Sequence, residues 1–226
     1  MATPESRRPI PAPAPAGEVG STWIAPGDAV ATLVVAHGAG AGMDHPFLAG
    51  FCRAMGEARV ATVRFNFPYI ERGRRSPDPE RVLRETWLAA FDAASGRAQG
   101  RPVLAGGKSL GGRIASMCVA DGMPAAGLVF LGYPLHAPGT PDKLRAEHLA
   151  RIEVPMLFIQ GTRDPFARSD LLAKVLGRLG DRATLEPIEG GDHSFRVRGV
   201  KADDREIGAA LAGTAAPFVR RIAGGR

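Results

Sequence analysis

Gly107-Lys108-Ser109-Leu110-Gly111 is the stretch that decides how this chain is read. It has the form G-x-S-x-G, and its surroundings agree with what that form requires. A short apolar segment, Pro102-Val103-Leu104-Ala105-Gly106, precedes it. A helical pattern follows, with Leu110, Ile114, Met117 and Cys118 three or four residues apart. Ser109 therefore falls where a strand turns sharply into a helix. Such a turn crowds the backbone, and glycines two places before and after the serine relieve the crowding because they lack a Cβ. The serine hydroxyl is held up and exposed, with a helix N-terminus beneath it. The same residues also suggest the end of a phosphate-binding loop, G-x-x-x-x-G-K-S. That motif needs a glycine where Pro102 stands, and its loop would fall on residues that read as strand, so the nucleotide-binding reading is rejected.

Composition limits the alternatives. A chain of 226 residues, 45% hydrophobic and 23% charged, is most simply one globular domain with a substantial core. No apolar run approaches the roughly 20 residues of a membrane helix, so no membrane association is expected. Residues 1–19 are rich in Pro and Ala and are expected to form a disordered tail ahead of a domain spanning 20–226. The tail has no continuous apolar core of the kind an export signal carries. Cys52 and Cys118 are the only cysteines, which fits two free thiols in a reducing cytoplasm. The net charge of +6 comes mostly from Arg, with only four Lys. These residues are scattered and no aromatic residues interleave with them, so a solvated basic surface is expected rather than a nucleic-acid site.

From Thr32 onward apolar runs alternate with helical patterns. Strands are predicted at 32–36, 60–67, before Ser109, and at 126–131, 156–160 and 183–187, with 22–25 as an added edge. Helices are predicted at 82–94, after Ser109, at 142–151, at 169–179 begun by a Ser169 cap, and at 205–222 with a break near Pro217. This alternation predicts an α/β fold, a mostly parallel sheet covered on both faces by helices, with ligands at the C-terminal strand ends.

Three further motifs fall at those ends. The first strand runs into His37-Gly38-Ala39-Gly40-Ala41-Gly42, a turn whose backbone can face a pocket. The N–H of Ala39, with that of Leu110, is placed to hold an oxyanion. Asp164 follows the strand at 156–160, and His193 lies in the glycine-rich loop after 183–187. A serine hydroxyl needs an imidazole to take its proton and a carboxylate to orient the imidazole. Asp164 is expected to be that carboxylate rather than Asp192, because adjacent side chains in an extended segment point apart. Tyr133, His136 and Arg145 are candidate substrate contacts, as is His37, which also serves to brace the oxyanion turn. His/Cys/Asp/Glu spacing suggests no metal, and no cofactor is expected.

Through HGAG at 37–40, GKSLGG at 107–112, GTRD at 161–164 and GDHSF at 191–195, the chain resembles the α/β-hydrolase superfamily over roughly residues 20–224. The segments HGAGAGMDHPF at 37–47, GKSLGGR at 107–113 and YPLHAPGTPDKLRAEHL at 133–149 are similar to a narrower branch. It is the testis-expressed protein 30-like and KANSL3-like branch, with a dienelactone-hydrolase-like core. The resemblance implies the order Ser109, Asp164, His193 for a catalytic triad and a small-molecule ester as substrate. Dienelactone hydrolases carry a cysteine where Ser109 stands, so their substrate is not implied. The link from Leu131 to Met156 is too short to encode a large cap. The reading is a serine hydrolase acting on a small ester or thioester; the competing one is an interaction protein that keeps the fold with little turnover.

Overall fold

A computed structural model describes residues 3–14 and 16–224. Its centre is an eight-stranded sheet with strand order β1-β2-β4-β3-β5-β6-β7-β8. The strands are β1 (Glu5–Pro11), β2 (Glu18–Ile24), β3 (Ala31–Ala36), β4 (Val60–Phe65), β5 (Val103–Lys108), β6 (Leu128–Leu131), β7 (Met156–Gly161) and β8 (Ala183–Ile188). From β4 to β8 every neighbouring pair is parallel, whereas β1 and β2 are added antiparallel. The helices are α1 (Pro46–Glu57), α2 (Pro68–Glu71), α3 (Glu80–Ser95), α4 (Leu110–Ala120), α5 (Ser169–Leu179) and α6 (Asp204–Gly224).

The period-two alternation of strand side chains divides the core into two layers. Val34, Ala36, Val63, Phe65, Ala105 and Phe130 face α3, α4 and α5. Leu33, Val35, Leu104, Val129, Leu157 and Ile159 face α1 and α6. Continuous apolar strands are the sequence consequence of burial on both sides. Strand β8 lies at the open edge, which tolerates the half-exposed Leu185 and a proline, Pro187, that has no N–H to donate.

Five readings of the elements change. The segment expected to be a disordered tail contains β1, paired residue for residue with β2; its residues 1, 2 and 15 lie outside the described residues. An edge strand can carry Pro9 and Pro11, and only Ile10 is buried. Glu5 supplies the remaining tie, pairing at 2.7 Å with the buried guanidinium of Arg64 and at 3.0 Å with Arg53. The sequence reading contained no helix at Pro46–Glu57, yet α1 is there and packs along α6. The predicted helix at 142–151 is reduced to a 3₁₀ turn at Glu147–Arg151. The break expected near Pro217 is absent, and α6 runs through it. Pro217 and Gly213, whose carbonyl loses a partner, both face solvent, while Ala215, Ala216, Phe218 and Val219 hold the helix to the sheet. Helix α5 has its expected span, but its N-cap is Arg168 rather than Ser169, without a side-chain cap bond.

Candidate active site

The turn from β5 to α4 carries Ser109 at φ 50° and ψ −114°. A serine occupies that region only under constraint. The constraint is packing: a Cβ on Gly107 or on Gly111 would collide with the carbonyl oxygen of Ala36 at the end of β3. Trp87 of α3 also donates from Nε1 to the Gly111 carbonyl at 3.0 Å. Leu110 is the first residue of α4, where the helix supplies no acceptor for its N–H.

The loop after β8 brings His193 to this turn. Its Nε2 lies 2.9 Å from Ser109 Oγ, and its Nδ1 lies 2.7 Å from Asp164 Oδ2. With Nδ1–H donated to the carboxylate, Nε2 is left to accept the serine proton. Asp164 is fixed in turn. Gln160 Nε2 donates to its Oδ2 at 2.6 Å, and the Phe166 N–H donates to its Oδ1 at 2.8 Å. Gln160 is itself held by the Tyr133 N–H, which donates to its Oε1 at 2.8 Å. Asp192 serves its own loop: its Oδ1 accepts from the N–H groups of Ser194 and Arg196 at 2.8 and 2.9 Å. The two loops are joined by the Arg163 N–H, which donates to the Gly191 carbonyl at 2.9 Å.

Ser109 and His193 border a half-open cavity of about 460 Å³. Ala39 and Gly40 line it on one side, Phe47 and His45 on another, and Phe166 packs against the His193 ring at a tilt of 31°, 4.2 Å between centroids. Of the four candidate substrate contacts, none lines this cavity. His37 is buried, with Nδ1–H donating to the Gly38 carbonyl at 2.8 Å and Nε2 accepting from the Phe67 N–H at 3.1 Å. Burial holds its pKa down to about 4, so it is a neutral brace for the Gly38–Ala39 turn. His136 is braced alike, between the Ala137 carbonyl and the Arg168 N–H. The buried Tyr133 hydroxyl donates to the Arg145 carbonyl at 2.6 Å, and Arg145 itself is exposed ahead of the 3₁₀ turn. The polar side-chain atoms of His37, Tyr133 and His136 are thus already engaged by backbone partners.

Lys108 is the residue the sequence reading passed over. It is the last residue of β5, next to the serine in the elbow, lines the cavity, and donates from Nζ to the His193 carbonyl at 2.7 Å. Its ammonium lies 5.5 Å from the centre of the Phe195 ring, and Phe195 has φ 64°. Burial pushes the Lys108 pKa down to about 8 against the opposing pull of Asp164 and Asp192. Only its position next to the serine hinted at this tether between strand and loop. Among the described residues no group of three or more His, Cys, Asp or Glu is arranged to hold a metal. None of the described helices is long and apolar enough to cross a membrane.

The architecture recurs in solved structures. A serine hydrolase without a lid from Xanthomonas campestris is 19% identical, with a TM-score of 0.75 over 98% of this chain and 96% of that one. A dienelactone hydrolase from Anabaena variabilis is 20% identical, with a TM-score of 0.77 over 98% of this chain and 99% of that one. An esterase domain from a Rhodothermus marinus protein is 15% identical, with a TM-score of 0.70 over 96% of this chain and 99% of that one. At such identities the likeness is one of fold. A family model described as an alpha/beta hydrolase domain matches residues 29–220. The chain belongs to that family.

Proposed function

We propose that this α/β hydrolase is a serine hydrolase that cleaves a small carboxylic ester or thioester. The observation that carries the reading is the unbroken line from Ser109 Oγ through His193 Nε2 and Nδ1 to Asp164 Oδ2, at 2.9 and 2.7 Å. In this reading His193 takes the hydroxyl proton as Ser109 Oγ attacks the carbonyl carbon. Asp164 keeps the imidazole in the accepting tautomer and stabilises the imidazolium. The N–H groups of Ala39 and Leu110 receive the developing oxyanion. His193 then gives its proton to the leaving oxygen or sulfur, and a water molecule, deprotonated by the same imidazole, releases the acid.

The dienelactone hydrolase likeness lends the core and not the substrate, since Ser109 stands where a cysteine nucleophile is implied. We place the chain in the testis-expressed protein 30-like and KANSL3-like branch on the segments at 37–47, 107–113 and 133–149. A cytoplasmic site of action fits two free, buried thiols.

The size of the cavity and the absence of a cap between β6 and β7 point to short acyl groups. Hydrolysis of p-nitrophenyl acetate is therefore expected to exceed that of the palmitate ester in kcat/KM. Higher specificity for palmitate would overturn the small-ester reading.

A further inference from the structure

Beside the cavity at Ser109 lies a second groove of about 360 Å³, lined by Arg163, Gly190, Asp192, Arg196, Val197 and Arg198. Arg196 lines both cavities, so the groove adjoins the mouth of the first. The fold builds this convergence. Arg163 stands next to Asp164, and its N–H is bonded to the Gly191 carbonyl; Gly191 and Val197 form an isolated antiparallel bridge that sets Arg196 and Arg198 around the same rim. Three arginines and one acid, Asp192, thus line the groove. Asp192 is engaged at Oδ1 by two backbone N–H groups, and Arg196 pairs with Asp204. Among the described residues Arg163 and Arg198 enter no ion pair and make no side-chain hydrogen bond, and both are exposed in the groove.

We propose that this groove binds a phosphate carried by the leaving group of the substrate. The inference rests on the serine-hydrolase reading above, and the chemistry of that reading sets the direction. The leaving atom must face His193 Nε2, which protonates it, while the carbonyl oxygen turns to the opposite side, toward Ala39 and Leu110. The rest of the leaving group therefore extends over the 191–198 loop, where the guanidinium groups stand. Planar guanidinium forks match phosphate oxygens two at a time, which a carboxylate-free arginine is disposed to do. The substrate class is an acyl ester or thioester whose alcohol or thiol bears phosphate. Attack forms the bond from Ser109 Oγ to the acyl carbon and breaks the bond from that carbon to the leaving oxygen or sulfur. The serine proton passes through His193 to the departing atom, and water then releases the carboxylic acid and restores the serine.

The test is a selectivity ratio measured in two arms. The thioester arm compares kcat/KM for acetyl-coenzyme A with that for S-acetyl-N-acetylcysteamine, which lacks phosphate. The ester arm compares acetylglycerol phosphate with monoacetylglycerol. In at least one arm the phosphate-bearing substrate is expected to be preferred, mainly through KM, and the preference to shrink as salt is raised. The arm showing the preference identifies the source of the phosphate. In R163Q/R198Q the ratio is expected to fall by about tenfold for each guanidinium lost, the worth of one charge-assisted hydrogen bond. R178Q/R220Q removes the same charge from residues that line neither cavity, and should leave the ratio unchanged. A wild-type ratio near one in both arms would overturn the inference, as would a ratio that R163Q/R198Q does not move. If p-nitrophenyl acetate is also inert, the hydrolase reading has failed; if it is turned over, only the phosphate groove has.

Discussion

Two serines seven residues apart each sit beside a histidine Nε2: Ser109 lies 2.9 Å from His193, and Ser116 lies 2.8 Å from His148. The contacts are equivalent in length, yet only one has the setting that the proposed nucleophile requires. Ser109 is held at φ 50° and borders a cavity. Ser116 is fully buried within α4, and its Oγ–H also donates to the Arg113 carbonyl at 2.7 Å. Asp164 backs His193, whereas burial and the charges of Arg113 and Arg151 push the His148 pKa down to about 4. The Tyr133 hydroxyl closes the space near His148. A serine–histidine hydrogen bond is thus an ordinary packing device. A nucleophile needs the strained turn, the carboxylate behind the imidazole and room for a carbonyl in front.

The largest expected effect removes the feature that most separates the two pairs. Asp164→Asn leaves His193 without its carboxylate and is expected to cut kcat by about 10⁴, the loss known for the equivalent change in serine proteases. Asp192→Asn, which loosens only a loop, should cost far less. Steady-state kinetics on p-nitrophenyl acetate decides between them, and a reversed order would place the wrong carboxylate behind the imidazole.

Lys108 sharpens the comparison, because no counterpart among the described side-chain bonds ties His148 to β5. Lys108→Met removes one charged hydrogen bond to the His193 carbonyl and is expected to lower kcat roughly ten- to hundredfold, with KM little changed. Wild-type kcat in this variant would show that the loop holds His193 unaided.

His37 extends the contrast to stability. Its folded pKa of about 4 lies below the ordinary 6.5, so the unfolded chain takes up the proton first. Its contribution to stability is complete above about pH 6.5 and drains away as the pH falls toward 4, by up to about 3 kcal/mol. His148 has the same sign. Thermal unfolding followed across this window should show His37→Gln less stable at pH 7 but with a flatter pH dependence. An unchanged slope would contradict the neutral-brace assignment.

Much of this was legible in the sequence because it is local. Gly107, Ser109 and Gly111 state the turn by their spacing, and the apolar runs at Thr32–Ala36 and Met156–Gln160 state buried strands. Asp164 and His193 were legible because each follows a strand in a glycine-rich loop. What was missed depends on partners distant along the chain. Nothing local tells that His37 Nε2 will meet the Phe67 N–H, or that Gln160 will hold both Tyr133 and Asp164. The role of Lys108 depends on a carbonyl 85 residues away. Helix α1 did leave a signal in Pro46 at its first turn and in the spacing of Phe47, Phe51 and Met55. Strand β1 left less, since an edge strand needs little apolar pattern and its prolines read as a coil.

The most direct test of the central claim is to treat the folded protein with a fluorophosphonate and map the modified peptide. The account predicts one covalent adduct, on Ser109, present in Ser116→Ala and lost in Ser109→Ala. Labelling that maps to Ser116 or elsewhere, or a folded wild-type protein that takes no label, would contradict it.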